Sequence, residues 1–194
     1  MFGTKLFWFD TETTGLDPVA NDIIQFSCMV EVDGVLQAEI FTRNVKPYSF
    51  QNIDKKALAV NNITIEELQK FNDASTVHAE LLSYLRKYID PYDRNDKLIP
   101  AGFNVGFDVG FLRQFFIKRG DKFYGSYFGY KSLDVYALAL ADCVVNKIPL
   151  ANHKLTTLSA YYGIKHDNAH DAESDIKATR DLFYRIGNKL CTKT

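Results

Sequence analysis

Two carboxylates stand at the end of an apolar segment near the start of the chain. Residues 5–9 are aliphatic and aromatic, as in a buried strand, and Asp10 and Glu12 follow them closely. Side chains two positions apart on a strand point to the same face, so the carboxylates converge if the strand continues through Glu12. Converging carboxylates repel unless one takes up a proton or a cation supplies the missing charge. The pair predicts a site for a hard cation such as Mg²⁺ or Mn²⁺, and a polar turn capped by Asp10 is the alternative.

A third carboxylate, Asp108, lies in the segment GFNVGFDVGFL. We predict a strand over residues 97–103 and a helix over residues 109–119, which puts Asp108 at the junction. As the residue before a helix, Asp108 could simply be its N-cap. Neighbouring strands lie only about 4.8 Å apart, so Asp108 would face Asp10 if the two strands are adjacent.

A histidine and an aspartate stand in the segment HDNAHDAESD, at the start of a predicted last helix over residues 171–190. His170 comes at the helix start, and Asp175 follows about one turn later. The positive end of a helix disfavours imidazolium, which would keep His170 neutral and able to accept a proton. The alternative is a surface or capping histidine beside a solvated acidic face.

The elements that must position these side chains follow an α/β pattern. Residues 22–32 and 35–45 read as strands joined by a two-residue turn at Asp33 and Gly34, so the first three strands should be antiparallel neighbours. Thr64 and Glu67 have capping-box spacing, and apolar residues recur at helical intervals over residues 77–89. Two helices are therefore expected after the hairpin.

The rest of the chain adds helices and loops. We predict helices over residues 134–145 and 155–162, and surface loops over residues 91–97 and 122–129. Together the elements predict an α/β three-layer fold, with a mixed central sheet of about five strands flanked by helices. We expect one domain over residues 1–194.

Composition excludes some functions. The chain has 194 residues, is 46% apolar and carries a formal net charge of −1, so it has no global attraction for nucleic acid or an anionic bilayer. A polyanionic substrate would have to be held locally. No apolar run reaches the roughly 20 residues of a membrane helix. The three cysteines lack CxxC spacing, and we expect a reducing, cytoplasmic compartment without a membrane partner.

Three ordered motifs carry a family resemblance. The segments are Asp10-Thr-Glu12-Thr-Thr-Gly-Leu, Asn104-Val-Gly-Phe-Asp108, and His170 followed after four residues by Asp175. They resemble the exonuclease motifs of the DEDDh family of 3′-to-5′ exonucleases. This branch of the ribonuclease H-like superfamily includes the proofreading subunit of bacterial DNA polymerase III, ribonuclease T and oligoribonuclease. The resemblance extends over nearly the whole chain.

The resemblance implies hydrolysis of phosphodiester bonds at 3′ ends with two Mg²⁺ or Mn²⁺ ions, releasing nucleoside 5′-monophosphates. By resemblance, Asp10 is the carboxylate shared by both ions. Glu12 and Asp175 are ligands of the nucleophile-side metal, and Asp108 holds the second metal. His170 corresponds to the general base that deprotonates the attacking water.

The resemblance also implies contacts to the substrate. By resemblance, Thr13, Thr14 and Leu16 contact the 3′-terminal nucleotide, and further candidates for substrate contact are Phe103, Asn104 and Phe107. Many relatives have histidine where this chain has Phe103, which leaves the details of substrate contact open. Phe103 and Phe107 could stack on bases, and packing in the core is the alternative for both.

The nature of the substrate and of any partner is less defined. Resemblance to proofreading domains favours single-stranded DNA, and the alternative is an exoribonuclease that trims RNA 3′ ends. A non-catalytic module that binds nucleic acid or protein on the same fold is a further alternative. A proofreading role would imply a polymerase partner, and the oligomeric state is left open.

Overall fold

A five-stranded sheet lies at the centre of the computed structural model, which describes residues 3–167 and 171–191. The strands are β1 (Lys5–Thr13), β2 (Ile23–Val32), β3 (Val35–Asn44), β4 (Ile99–Gly102) and β5 (Leu133–Asp134). Their order across the sheet is β3-β2-β1-β4-β5. The first three are antiparallel, whereas β4 runs parallel to β1 and β5 parallel to β4. The predicted mixed sheet of about five strands is confirmed.

The hairpin between β2 and β3 forms at the predicted turn. Asp33 and Gly34 both have left-handed backbones, with φ of 50° and 81°, as the two-residue type I′ turn requires. Val32 pairs with Val35 and Glu31 with Leu36, so the turn sets the register of the pairs next to it, and the register shifts between Glu31 and Met29.

The first strand continues through both of its carboxylates. Asp10 pairs with Ser27 and Glu12 with Gln25, and the register shifts only after Glu12. Asp10 and Glu12 therefore stand on one face of the sheet, whereas Thr11 stands on the other. The polar-turn alternative for Asp10 is wrong, because the residue lies within the strand.

Helices cover both faces of the sheet. In chain order they are α1 (Lys55–Val60), α2 (Ile65–Leu68), α3 (Ala74–Leu85), α4 (Val105–Lys118), α5 (Tyr124–Tyr127), α6 (Val135–Val145), α7 (Leu155–Tyr162) and α8 (Ala172–Cys191). The capping box of Thr64 and Glu67 is present at the start of α2. Three helices, not two, follow the hairpin, since α1 also forms. None of the helices in residues 3–167 and 171–191 has the length and apolarity needed to cross a bilayer.

The side chains of β1 contribute to two separate apolar cores. Phe7 and Phe9 pack in the core that α3 and α4 cover. Leu6 and Trp8 pack in the core that α6, α7 and α8 cover. Asp10 and Glu12 continue the Leu6 and Trp8 series, so they emerge on the face of the sheet where α8 lies.

Helix α4 begins four residues earlier than predicted. Asn104 takes a left-handed backbone with φ of 57° and reverses the chain directly after β4, so the helix starts at Val105. Asp108 therefore lies in the first turn of the helix. The alternative in which Asp108 is the N-cap is wrong.

Two segments predicted as surface loops contain buried residues. In residues 91–97, Asp96 is buried and forms an ion pair with Lys5 at 2.6 Å. Residues 122–129 contain α5, and Tyr127 and Phe128 pack against Phe116 of α4. Their polar and glycine-rich composition concealed these tertiary contacts.

Strands β1 and β4 approach closely beside the acidic residues. A Cβ atom added at Gly102 would lie 3.0 Å from the backbone oxygen of Phe9 and 3.2 Å from Cγ2 of Val105. Glycine is thus needed at the end of β4, two positions before Asn104 turns the chain into α4.

We predict that Gly102→Ala destabilises the protein because the added methyl group meets backbone that cannot move aside. Overpacking of this kind costs about 1–3 kcal/mol, which corresponds to a fall in Tm of roughly 2–12 °C for a chain of this size. Thermal denaturation followed by circular dichroism measures the effect.

The matched control is Gly106→Ala in the first turn of α4, where an added Cβ meets no atom within 4 Å. Alanine favours helix over glycine, so this variant should keep or raise the Tm. Equal Tm values for the two variants would contradict the close approach at Gly102.

Candidate active site

Three carboxylates meet at the carboxyl end of β1. Asp10 and Glu12 come from the strand and Asp175 from the start of α8, and each offers an oxygen within 4.8 Å of the others. All three are half-buried. The start of α8 is attached to the neighbouring strand, because the backbone N–H of Ala172 donates a hydrogen bond to Gln25 Oε1 at 3.0 Å.

Asp108 approaches the same edge from the other face of the sheet. Its Oδ1 accepts hydrogen bonds from the backbone N–H of Thr11 at 3.0 Å and from the Thr11 hydroxyl at 2.7 Å. The side chain is buried. It lies outside the three-carboxylate cluster but close enough that its charge raises the pKa of Asp10.

The cluster is electrostatically unfavourable. Burial and the charges of Asp108, Asp175 and Glu12 raise the pKa of Asp10 well above its usual range. Burial, Asp175 and Asp108 raise the pKa of Glu12 to about 7, although a hydrogen bond from the Asn61 side chain lowers it. Burial and mutual repulsion therefore both favour the protonated forms of the two β1 carboxyls.

Asp108 has a different balance of effects. Burial raises its pKa to about 7, and the hydrogen bonds from Thr11 act in the opposite direction. The charge of Asp134 raises the pKa further. Among the described residues, the charged side chains that shift the pKa values of Asp10, Glu12 and Asp108 are carboxylates.

The predicted base, His170, lies outside the described residues. Among the described residues, a histidine that the sequence did not single out contacts the cluster. His166 Nε2 lies 2.6 Å from Asp175 Oδ1, and the His166 side chain is only 4% exposed. It stands between α7 and α8, where no helical or strand periodicity relates it to Asp175. The only available signal was its place in the same HDNAHDAESD segment.

The residues after Glu12 form a tightly bonded loop. The Thr13 hydroxyl donates to the Gly15 carbonyl at 2.7 Å, and the Thr14 hydroxyl accepts from the Asp22 N–H at 2.9 Å. Both threonines are buried, whereas Leu16 is 81% exposed. Of the candidate contacts in this loop, the Leu16 side chain is the one that projects from the surface.

The other substrate candidates surround the turn between β4 and α4. Phe103 makes an edge-to-face contact with Tyr136, with ring centroids 5.5 Å apart, and Phe107 packs on Phe111 at 4.8 Å. Asn104 is exposed. A cavity of about 530 Å³ opens here, and its lining residues are Phe103, Asn104, Tyr136, Asn152, His153 and Lys154.

Comparison with known proteins places this geometry in a family. Residues 7–183 match the model of the exonuclease family. The PolC-type DNA polymerase III of Oceanobacillus iheyensis is 30% identical over 185 residues, covering 95% of this chain and 12% of the relative. The 3′-5′ exonuclease DinG of Bacillus subtilis is 27% identical over 192 residues, covering 93% of this chain and 17% of the relative. The chain thus spans less than a fifth of either relative's length.

Solved structures show the same fold. A structure of exonuclease I superposes with a TM-score of 0.78 at 21% identity, covering 95% of this chain and 41% of that one. E. coli exonuclease I in complex with a dT13 oligonucleotide gives a TM-score of 0.76 at 21% identity, with coverage of 96% and 41%.

The expected ribonuclease H-like α/β fold is thereby confirmed. The family match covers all three acidic motifs recognised in the sequence. The chain belongs to the exonuclease family.

Proposed function

We propose that this protein is a metal-dependent 3′-to-5′ exonuclease that releases nucleoside 5′-monophosphates from single-stranded DNA, with residues 1–194 forming one exonuclease domain. One observation carries the proposal. Oxygens of Asp10, Glu12 and Asp175 lie within 4.8 Å of one another, in surroundings where carboxylates dominate the electrostatics. Such a cluster is stabilised when a cation compensates its charge.

The residues present fit divalent cations. The donor set is made only of carboxylate oxygens, which suit Mg²⁺ and Mn²⁺ better than soft metals. The pKa values of Asp10 and Glu12 are raised because the site is buried and lacks positive charge, which a bound cation would supply. Asp10, Glu12 and Asp175 would hold one ion, and Asp108 would hold a second ion together with Asp10.

Bound metal ions would activate a water molecule, neutralise the phosphoryl oxygens and stabilise the leaving alkoxide. The chain itself supplies orientation and proton transfer. The two hydrogen bonds from Thr11 hold Asp108 in place at the edge of the sheet. We assign to His170 the role of the general base that accepts the proton of the attacking water, since an imidazole titrates near neutral pH without strong perturbation.

The surroundings of the cluster fit a short length of single strand. The exposed Leu16 would contact the terminal nucleotide, with the adjacent Thr13 and Thr14 shaping its loop. The cavity beside Phe103 and Asn104 would bind the nucleotide that precedes the terminal one, with Phe107 packed next to this turn. A net charge of −1 fits a grip on few phosphates better than binding to long duplex.

The relatives favour DNA and a polymerase context. Exonuclease I was solved with a dT13 oligonucleotide, and one relative is a PolC-type DNA polymerase III. We therefore propose a DNA 3′ end as the substrate and a polymerase as the partner in proofreading. Cys28 and Cys143 are free and buried thiols, which fits the cytoplasmic location we propose.

The direct test is a time course on 5′-labelled single-stranded DNA and RNA of matched sequence. The wild-type protein with Mg²⁺ or Mn²⁺ should produce a ladder that shortens from the 3′ end, faster on DNA, and EDTA should abolish it. Asp10→Asn should lower kcat on the order of 10³-fold, because metal ions contribute several kcal/mol of transition-state stabilisation.

The matched control is Asp181→Asn on the exposed side of α8, where the side chain is 62% exposed. It should leave the rate unchanged. Faster shortening of RNA would replace DNA by RNA as the substrate. If neither the DNA nor the RNA is cleaved, the proposed exonuclease activity is contradicted and a non-catalytic binding module is favoured.

The pKa shifts predict how the metal-free protein responds to pH. In the unfolded chain Glu titrates near 4.3 and Asp near 3.9, whereas folding raises the pKa values of Glu12 and Asp108 to about 7. The folded state thus retains protons that the unfolded state has lost. This contribution to stability is fully present below about pH 4 and is lost as pH rises through about 7.

In EDTA, the Tm should therefore fall by several degrees between pH 5 and pH 8, and Mg²⁺ should restore it at pH 8. Glu12→Gln, which removes one of these titrating groups, should show a smaller fall. Differential scanning calorimetry provides the measurement. A wild-type Tm in EDTA that changes with pH no more than that of Glu12→Gln would contradict the electrostatic description of the site.

A further inference from the structure

We propose that His166 is a positioning residue that holds Asp175 in the orientation needed to bind a divalent cation. The proposal rests on the proposed function, because it takes Asp175 as a metal ligand. His166 belongs to none of the three exonuclease motifs. It acts through Asp175 and not on the substrate.

The contact between the two side chains is short and buried. His166 Nε2 lies 2.6 Å from Asp175 Oδ1, and the exposed fractions of the side chains are 4% and 17%. Nδ1 of His166 is buried without a hydrogen-bond partner among the described residues. In the neutral tautomer with its proton on Nε2, the ring N–H donates to Asp175. The Nδ1 atom then carries no proton and has no N–H that needs an acceptor.

The two residues come from different elements. Helix α7 ends at Tyr162, and the following Gly163 caps it with a left-handed backbone of φ 66°. The N–H of Ile164 then donates to the Ser159 carbonyl at 2.8 Å, and Ile164 packs against the core beneath α7 and α8. His166 is thus anchored to α7, and its hydrogen bond restrains a residue of α8 from outside that helix.

This restraint opposes a specific force. Asp175 raises the pKa values of both Asp10 and Glu12, so the three carboxylates repel one another when charged. Free rotation about the side-chain torsions of Asp175 would relieve the repulsion by moving its carboxylate away. The hydrogen bond from His166 holds the carboxylate in place and uses one of about four acceptor positions on its oxygens.

Partners that orient metal ligands contribute about 10–100-fold to metal affinity or activity. We expect His166→Ala to weaken Mn²⁺ binding to that extent in a calorimetric titration of the whole chain. His166→Gln should stay within a few-fold of wild type, since its amide nitrogen can donate from near the position of Nε2. The kcat of His166→Ala should recover at high Mn²⁺, with little change in the KM for DNA.

The matched control is a second buried histidine near an aspartate, His78, whose Nε2 lies 3.2 Å from Asp121 Oδ2 beside α4. His78→Ala should lower the Tm and leave Mn²⁺ affinity unchanged. This separates positioning of a metal ligand from a general loss of packing around a buried imidazole.

The outcomes divide cleanly. Unchanged Mn²⁺ affinity in His166→Ala would overturn the proposal, whether the Tm alone falls or kcat falls without recovery at high Mn²⁺. Absence of Mn²⁺ binding by the wild-type chain would also overturn it. If the wild type binds Mn²⁺ but cleaves no strand, the proposed function fails, while the affinities of the Ala and Gln variants still decide the role of His166.

Discussion

Repulsion among carboxylates is the constraint on which the arrangement of this protein depends. Asp10, Glu12, Asp108 and Asp175 come from one strand and two helices and meet at one edge of the sheet. Burial raises the pKa of each of the first three, and the charges of neighbouring carboxylates act in the same direction. Left to itself, such a group of charges would separate. The rest of the fold holds it together.

The central sheet provides most of this restraint. Strand β1 lies in the middle of the sheet, with apolar cores on both faces, so its carboxyl end cannot shift to relieve the charges. The parallel pairing of β1 with β4 brings the start of α4 to the same edge, and Gly102 permits the close approach. Functional sites are commonly less stable than the rest of a protein, and packing elsewhere compensates for the local strain or repulsion.

Individual hydrogen bonds then fix the side chains. Thr11 binds Asp108 from one face of the sheet, and His166 binds Asp175 from the other. Gln25 attaches the start of α8 to β2. Each contact joins two separate elements, so the geometry of the cluster depends on the assembled fold and cannot form within any one segment.

This distinction explains how much the sequence alone could predict. The hairpin at Asp33 and Gly34, the strand over residues 5–9 and helix α7 depend on local turn chemistry and periodicity, and the structure matches those predictions. The start of α4 depends on the left-handed backbone of Asn104, which no local pattern required. The two-residue strand β5 is too short to show alternation.

The candidate site divides in the same way. The motif carboxylates could be selected because their spacing places like charges together on a strand end or a helix start. The contact of His166 with Asp175 could not be predicted, because it depends on how the segment after α7 packs against α8 and not on any regular spacing. The same applies to Asn61, whose hydrogen bond to Glu12 depends on how the segment after α1 folds back onto the edge of the sheet.

The central claim is that the fold confines these carboxylates in order to bind divalent cations. The most direct measurement is anomalous diffraction from crystals soaked in Mn²⁺ with a nucleoside 5′-monophosphate. Our account predicts two anomalous peaks at the carboxyl end of β1, one bound by Asp10, Glu12 and Asp175 and the other by Asp10 and Asp108. Full occupancy of the nucleotide with no anomalous peak at these carboxylates would contradict it.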